Sequence, residues 1–317
     1  MRDCNLVNEF VDFLRYGRHR AERTIESYRS DIGQFLNFLT VGTADEGGVC
    51  PSLEGRQPYA SDHVSLLKDV SSDKVRAFMG YLQNRQYGQA SIRRKLATLI
   101  CFYDFLHSEK LIDFNPISNI KAAKVEKHKP KILTDGQMWK LLHLPNTDTW
   151  LGARDRAMLE LLCFTGIRVS ELTNLDVDSV DFDRYRLRIT SHTGKTRQVQ
   201  LTTTVAESIR RYLNLRSESI VNYEEEQNRK ALFINKFGRR IDTRSADRRI
   251  EKYIQEADFR GTVSPYDLRH SYARKLIENG TDVKQVGEIL GFESGSAAKL
   301  YTDAIKSGSM EIQQIFL

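Results

Sequence analysis

The spacing of apolar residues divides the chain into two helix-rich blocks. Recurrence every three to four residues is typical of amphipathic helices that bury one face. In the first block this pattern covers residues 5–17, 24–39, 71–82 and 90–106. A segment rich in Gly, Ser, Asp and Pro at 40–69 interrupts it, and we interpret that segment as a loop insertion between helices. The first block predicts a helical N-terminal domain over residues 1–114.

The second block follows a cationic stretch. Residues 115–133 carry five lysines against one glutamate, which predicts a basic linker. Thr134 and Gln137 have the spacing of a capping box, so a helix is expected to begin there. Between 175 and 201 the apolar period falls to two, which predicts a small antiparallel sheet. Residues 134–317 are therefore predicted to form a second domain, and the fold class is mainly α with a small antiparallel β-sheet. Further helices are predicted at 135–144, 153–164, 203–215, 243–257, 267–290 and 296–304, with a short strand at 232–235. Trp139 and Trp150 are expected to pack in the core of this second domain.

Length and composition agree with two folded domains. The chain has 317 residues, of which 40% are hydrophobic and 9% aromatic, enough for two cores. The formal net charge is +6. A moderately basic chain is compatible with a polyanionic partner such as nucleic acid, but net charge alone does not identify one.

Cysteine usage and hydropathy restrict the cellular compartment in which the protein is expected. The cysteines are Cys4, Cys50, Cys101 and Cys163, which lie far apart and form no CxxC pair. Neither a zinc site nor a disulfide framework is expected, and a reducing cytoplasm is the simpler location. The N-terminus lacks the apolar run of a signal peptide. No stretch of about 18 apolar residues is present, so no membrane span is expected.

Three short segments carry the residues that point to a chemistry. Arg168 and Arg269 lie in the first two, and Tyr301 lies in the third. A guanidinium fork binds two phosphate oxygens and stays charged, and a phenol can attack phosphorus to give a covalent phosphotyrosine. This order predicts a phosphodiester held by two arginines and attacked by a tyrosine. The segments are Thr165-Gly-Ile-Arg-Val-Ser-Glu-Leu172, Ser264-Pro-Tyr-Asp-Leu-Arg-His270 and Lys299-Leu-Tyr-Thr302.

Other cations are candidates for supporting roles. Cutting DNA also requires a proton for the departing 5′ oxygen, and a lysine can supply it. Lys195 lies on a predicted turn between two strands, from which it can reach into a groove. Arg93, Arg94 and Lys95 occupy the first turns of a predicted helix, where cations oppose the helix dipole. Phosphate contact and a solvated face both explain these three cations.

These residues resemble the tyrosine recombinases (the lambda-integrase family), most closely the Xer-type branch. The resemblance covers nearly the whole chain except the 40–69 loop and part of 217–230. It implies a helical core-binding domain followed by an α+β catalytic domain. The matching segments are Thr24-Ile-Glu-Ser-Tyr-Arg-Ser-Asp-Ile32, Thr165–Leu172, Gly194-Lys195, Pro265–His270, Leu290-Gly-Phe292 and Leu300-Tyr-Thr302.

The resemblance also assigns expected roles. Arg168 and Arg269 would clamp the scissile phosphate, and Tyr301 would be the nucleophile. Glu171 would be a supporting residue, and His270 would be more structural than catalytic. A hairpin lysine would be the general acid. No metal, nucleotide or other cofactor is expected, because the phosphotyrosine stores the bond energy.

The implied partner is duplex DNA with a pseudo-palindromic recombination site. A dimer would bind one site, and two sites would synapse through a tetramer and a four-way junction. The apolar tail at 310–317 would dock into a neighbouring protomer or fold back onto its own domain. A paralogous recombinase or accessory protein is a possible further partner. The alternatives are a catalytically degenerate DNA-binding protein of the same fold and a type IB-like topoisomerase.

Three positions depart from the family's usual residues. The family has His where this chain has Tyr266, and His or Trp where it has Phe292. A phenol is a poor base near neutral pH, and phenylalanine has no donor; one lost preorganised donor costs roughly 2.7–4 kcal/mol in a favourable case. Aligned without gaps, the family's acid lysine falls on His192, so either Lys195 or a protonated His192 would be the general acid.

Overall fold

The computed structural model divides into two compact units, Met1–Glu126 and Lys127–Leu317. Most of the predicted 40–69 insertion, the linker residues 121–130, His192 and the tail at 310–317 lie outside the described residues. The residues that the structure describes are 6–20, 22–41, 67, 70–117, 120, 131–191, 193–219, 226–259, 261, 263–292, 295, 298–299 and 301–302.

The first unit is helical, as the apolar spacing predicts. Its third helix begins at the predicted cap, where the Ser71 hydroxyl accepts from the Lys74 amide at 3.4 Å. Such a cap satisfies an amide that the helix cannot pair internally. The helices are α1 (Leu6–Asp12), continued by a π-helical turn (Phe13–Gly17), α2 (Glu22–Val41), α3 (Ser72–Asn84) and α4 (Gln89–Ser108).

Aromatic side chains fill the core of this unit. Phe10 of α1 packs edge-on against Phe102 of α4, with ring centroids 5.1 Å apart. Phe35 of α2 lies 5.0 Å from Phe78 of α3. All four rings are fully buried, and large aromatic rings contribute much of the apolar area that a small core buries. The helices therefore pack through the apolar faces that the sequence pattern predicts.

The second unit combines helices with one small sheet. The predicted capping box is confirmed, since the Thr134 hydroxyl accepts from the Gln137 amide and the Gln137 side chain accepts from the Thr134 amide. The elements are α5 (Asp135–Leu142), α6 (Trp150–Thr165), α7 (Val169–Thr173), a 3₁₀ turn (Val177–Ser179), β1 (Val180–Asp181), β2 (Arg186–Thr190), β3 (Thr196–Gln200), α8 (Thr203–Ser219), α9 (Glu226–Lys230), α10 (Thr243–Glu256), α11 (Pro265–Glu278) and α12 (Val283–Leu290).

The three strands form an antiparallel sheet in the order β1-β2-β3. Leu187 pairs with Val180 on one side and with Val199 on the other, and all three side chains are buried. Alternate residues of a strand share a face, so this register places one face of the sheet on the core. Helix α6 packs against α8 and α11 and is buried along most of its length.

Two glycines allow close approach around the C-terminal end of α12. Gly166 ends α6 with a left-handed φ of 61°, and a Cβ there would lie 2.7 Å from side-chain atoms of Leu290 and Tyr272. Gly291 ends α12 with φ 68°, and a Cβ there would lie 2.7 Å from the Arg197 guanidinium. Glycine adopts this conformation without steric cost. Both positions therefore favour glycine for conformation and for space.

Two expectations for this unit are wrong. Residues 232–235 do not form a strand. Asp176 pairs with Ala231 and Ile234 pairs with Arg240, but each pair is an isolated bridge. The pairing does not extend because the chain turns back between Asn235 and Arg239. Trp139, expected in the core, is 63% exposed and stacks on His143 with ring centroids 4.1 Å apart.

Candidate active site

Arg168 stands at the N-cap position of the short helix α7, directly after the left-handed turn at Gly166. Its Nη1 donates to Glu171 Oε1 at 3.0 Å, and its backbone amide donates to Glu171 Oε2 at 3.0 Å. The Arg168 side chain remains 28% exposed. Glu171 therefore holds both the backbone and the side chain of the first predicted arginine, while part of the guanidinium faces solvent.

Arg197 on β3 is a site residue that the sequence analysis missed. Its Nη1 and Nη2 donate to the two Glu171 carboxylate oxygens at 2.8 Å each, a bidentate pair, and its Nε donates to the Ile289 carbonyl at 2.9 Å. Burial alone would raise the pKa of Glu171, but the hydrogen bonds and charges of Arg197 and Arg168 lower that pKa to about 2. Glu171 is thus a carboxylate at any physiological pH.

Arg269 on α11 is almost fully buried, with 2% of its surface exposed. Its Nη1 donates to the Gly166 carbonyl and its Nη2 to the Leu290 carbonyl, both at 2.5 Å. Its Nε is buried without a hydrogen-bond partner among the described residues. Burial, together with the charge of Arg168, lowers the pKa of Arg269 to about 10, so the group stays cationic at neutral pH.

Three guanidinium groups converge on the C-terminal end of α12. Arg197 donates to the Ile289 carbonyl, Arg269 to the Leu290 carbonyl and Arg168 to the Gly291 carbonyl, the last at 3.4 Å. Carbonyl groups at a helix C-terminus lack partners within the helix and carry partial negative charge. These successive carbonyl groups hold three like charges together at one place.

Tyr301, the predicted nucleophile, is fully buried beside α11 and α12. Its hydroxyl lies 2.7 Å from His270 Nδ1, and the two rings stack with centroids 5.4 Å apart. Burial raises the pKa of the Tyr301 phenol well above its usual range, although Arg269 and Arg168 oppose the rise. Burial also lowers the pKa of His270 to about 4, so His270 is neutral at pH 7.

Tyr266 and Phe292, two of the three positions where the sequence departs from the pattern that it resembles, line the same site. Phe292 lies 5.0 Å from the Tyr301 ring, and the Arg269 guanidinium lies 5.7 Å from the Phe292 ring centroid. Tyr266 sits in the first turn of α11, 36% exposed, with its ring edge-on to His270 at 4.8 Å. Burial raises the pKa of Tyr266 to about 12, so this phenol is a donor and not a base. Phe292 packs against Tyr301, the predicted nucleophile, at a position where the resemblance implies a polar side chain.

Lys195, the first candidate for the general acid, lies on the β2–β3 hairpin. Lys195 is exposed, and its backbone carbonyl accepts from the Ser191 amide at 2.8 Å to close the turn. Among the described side-chain hydrogen bonds and ion pairs, none involves the Lys195 ammonium group. His192, the second candidate, lies outside the described residues. The hairpin is therefore at the predicted place, with its lysine facing solvent.

The cations at the start of α4 separate into different environments. Arg93 is exposed. Lys95 is buried and its Nζ donates to Asp31 at 2.7 Å, while Arg94 pairs with the same carboxylate from a half-exposed position. Thr98 adds a hydrogen bond to Asp31 at 2.9 Å. Lys95 thus joins α4 to α2, and Arg93 is the member of the set that faces solvent.

The described residues contain no cluster of three or more His, Cys, Asp or Glu side chains placed to hold a metal ion. None of the helices that the structure describes is both long and apolar enough to cross a membrane.

Known proteins resemble this chain along nearly its whole length. The tyrosine recombinase XerC of Syntrophus aciditrophicus (strain SB) is 32% identical over 304 residues, covering 94% of this chain and 92% of that protein. The XerC of Pelotomaculum thermopropionicum is 30% identical over 297 residues, covering 93% and 92%. Among solved structures, the Tn1549 transposon integrase in complex with a circular intermediate DNA has a TM-score of 0.68 at 15% identity, with 94% of each chain covered. That last likeness supports the fold alone.

Family models match both units. Residues 51–110 match the phage integrase N-terminal SAM-like domain, and residues 131–307 match the phage integrase family. The second match spans more than half of the chain and includes the two arginines, Glu171, the hairpin and Tyr301. The chain therefore belongs to the phage integrase family, the tyrosine recombinases.

Proposed function

We propose that the protein is a site-specific DNA recombinase that cuts and rejoins strands through a 3′-phosphotyrosine at Tyr301. The proposed roles of the site residues rest on the buried Nε of Arg269. A buried donor without a partner costs about 1–3 kcal/mol, and Arg269 Nε is such a donor among the described residues. A phosphate oxygen would satisfy it beside the partly exposed Arg168.

The proposed cleavage step uses these groups in one displacement. Arg168 and Arg269 neutralise the non-bridging oxygens of the scissile phosphate, whose charge is present throughout the reaction. The Tyr301 oxygen attacks phosphorus, and the bond to the 5′ oxygen breaks. Lys195 or His192 on the hairpin gives that oxygen a proton. The 5′ hydroxyl of a partner strand then attacks the phosphotyrosine, which releases Tyr301 and joins the exchanged strands.

We expect the residues at 266 and 292 to slow this step without abolishing it. Tyr266 can donate a hydrogen bond to phosphate, but Phe292 has no donor and packs on Tyr301. We expect slower chemistry than a site with a polar group at 292, because the clamp and the nucleophile are retained. The alternative to this expectation is a degenerate protein that only binds DNA.

Assembly on DNA follows the symmetry of the reaction. We propose that a dimer binds a pseudo-palindromic duplex site, with Arg93 as a candidate phosphate contact in the first unit. Two bound sites would form a tetramer and exchange strands through a four-way junction, with the apolar tail as the protomer contact. Resolving chromosome or plasmid multimers and integrating or excising a mobile element are both uses of this chemistry.

The test is a covalent trap. A binding site is first selected from random duplexes, and a nicked suicide substrate with that site is incubated with the wild-type protein and with Tyr301→Phe. We expect a denaturant-resistant protein–DNA band with the wild type and its loss in Tyr301→Phe. Tight binding without any band would favour the degenerate alternative.

A second substrate separates strand exchange from relaxation. Two selected sites on one supercoiled circle should yield recombinant products when both sites are present. A type IB-like topoisomerase would relax the circle without exchanging the sites, and that result would contradict the assignment as a recombinase.

A further inference from the structure

The contact between His270 and Tyr301 places a base beside the reacting oxygen. His270 Nδ1 and the Tyr301 hydroxyl are 2.7 Å apart, and both side chains are buried. A general base must lie within hydrogen-bond reach of the proton that it removes, at about 2.6–3.2 Å. The separation of the two atoms meets this requirement.

The charged groups around the pair act on proton transfer in both directions. His270 is neutral at pH 7, so its unprotonated ring nitrogen is available. The groups that act on the pair are Asp267, Arg269 and Tyr266 of α11 and Arg168 at the start of α7. The two arginines favour the phenolate, but Arg269 also disfavours the imidazolium, and Tyr266 disfavours the phenolate. Asp267 disfavours the phenolate but favours the imidazolium that proton transfer creates.

Asp267 is held in place to exert that effect. Its Oδ2 accepts from the Ser264 amide at 2.7 Å and from the Ser264 hydroxyl at 2.8 Å. Its Oδ1 accepts from the Lys131 amide at 2.9 Å. The carboxylate is therefore fixed one helical turn before His270, with its negative charge close to the imidazole.

The rival base at this site is weaker. Tyr266 stands where the family usually has a histidine, but its own phenol proton is held more tightly than in water. It contacts the edge of the His270 ring and keeps 36% of its surface exposed. The position usually occupied by a histidine thus supplies no proton acceptor in this chain, while His270 does.

We infer that His270 is a catalytic residue, the proton acceptor for Tyr301. This inference rests on the function proposed above. As the Tyr301 oxygen forms its bond to phosphorus, its proton passes to His270 Nδ1 while the 5′ oxygen leaves with a proton from the hairpin acid. In the joining step the P–O bond to Tyr301 breaks, and the departing phenolate takes its proton back from His270. The tautomer required has its proton on Nε2.

The test uses a substrate that isolates this proton. A duplex with sulfur in place of the scissile 5′ oxygen needs no general acid, because a thiolate leaves unprotonated. Single-turnover cleavage of this duplex is measured for the wild type and for His270→Asn, whose side-chain oxygen can accept the Tyr301 hydrogen bond but not its proton. We expect cleavage to slow roughly 100-fold or more, with DNA affinity unchanged. His143→Asn, at an exposed histidine of the same unit, is the matched control and should cleave at the wild-type rate.

A second variant distinguishes proton transfer from positioning. A ring-fluorinated tyrosine at position 301 has a more acidic phenol and depends less on a base. We expect the fluorinated tyrosine to raise the cleavage rate of His270→Asn at least about tenfold, because a more acidic phenol needs less help from a general base. No recovery would mean that His270 only positions Tyr301 and would overturn the inference.

The remaining outcomes are also decisive. Cleavage by His270→Asn within threefold of the wild type would overturn the inference and leave the proposed function intact. Loss of cleavage in Tyr266→Phe but not in His270→Asn would assign the proton acceptor to Tyr266 instead. A wild-type protein that forms no Tyr301-dependent covalent complex would refute the proposed function, and the inference with it.

Discussion

Glu171 is the residue on which the electrostatics of the site depend most. It receives two hydrogen bonds from Arg168 and two from Arg197, although its side chain is only 5% exposed. A buried carboxylate is stable only when charge and hydrogen bonds compensate for the water that it has lost. The low pKa of Glu171 is the measurable consequence of that compensation.

The first prediction concerns the pH dependence of stability. The folded pKa of Glu171 is about 2 against an ordinary 4.5. A lowered folded pKa adds stability that is fully present above the unfolded pKa and is lost as pH falls towards the folded value. The difference corresponds to about 3 kcal/mol. Urea unfolding of the wild type and of Glu171→Gln should show a gap that is constant above about pH 5.5 and shrinks as the pH falls below 4.5. A gap that stays constant down to pH 3 would contradict the assignment.

The residues that come together at the site were predictable where their chemistry is unusual. Arg168, Arg269 and Tyr301 stand in short motifs whose combination has few other uses, and the structure brings all three to one site. Lys95 was not predictable in the same way, because its partner Asp31 lies on another helix far away in the chain. The sequence does not distinguish a cation in the first turn of a helix that binds phosphate from one that pairs with a buried carboxylate.

At the scale of elements, the C-terminal end of α12 organises the site. Its last carbonyl groups and that of Gly291 accept from Arg197, Arg269 and Arg168. Gly291 permits this approach, since a side chain there would collide with Arg197. The hairpin strand β3, the helix α11 and the start of α7 are thereby tied to one helix end, and a displacement of α12 would move all three arginines.

The second prediction follows from that arrangement. Arg197→Lys would lose the bidentate pair with Glu171, because an ammonium group cannot reproduce the planar fork. We expect suicide-substrate cleavage to slow roughly 10- to 100-fold with DNA affinity retained, since misplacement of a clamping group by about 1 Å can cost that much. Arg188→Lys, which changes an exposed arginine of the neighbouring strand, is the matched control.

A double-mutant cycle tests whether Arg197 acts through Glu171. If it positions Glu171 and thereby Arg168, the losses from Arg197→Lys and Glu171→Gln should be less than additive when combined. Additive losses, or an Arg197→Lys rate within twofold of the wild type, would show that Arg197 has no positioning role.

A signal for Arg197 was present in the pattern of β3. Residues 197, 199 and 201 share one face of the extended chain, and Val199 and Leu201 are buried. An arginine on the buried face of a strand requires a partner, which predicts a carboxylate nearby. The identity of that carboxylate did not follow, because α7 and β3 meet only through the tertiary fold.

At the scale of the whole molecule, the order of elements was predictable and several details were not. Helical spacing identified both helical blocks, and the capping box at Thr134 marked the first helix of the second unit. The prediction of a strand at 232–235 was wrong because an apolar run indicates burial without specifying a partner strand. The prediction that Trp139 lies in the core was wrong for a related reason, since an aromatic residue in a helical stripe can face outward.

We propose that Tyr301, buried beside Arg269 and His270, is the residue that becomes joined to DNA. The most direct measurement is to isolate the trapped covalent complex, digest the protein and the DNA, and identify the nucleotide-bearing peptide by mass spectrometry. We expect a single adduct on the peptide that contains Tyr301, linked through a 3′ phosphate. An adduct on the peptide containing Tyr266, or a linkage through a 5′ phosphate, would contradict it.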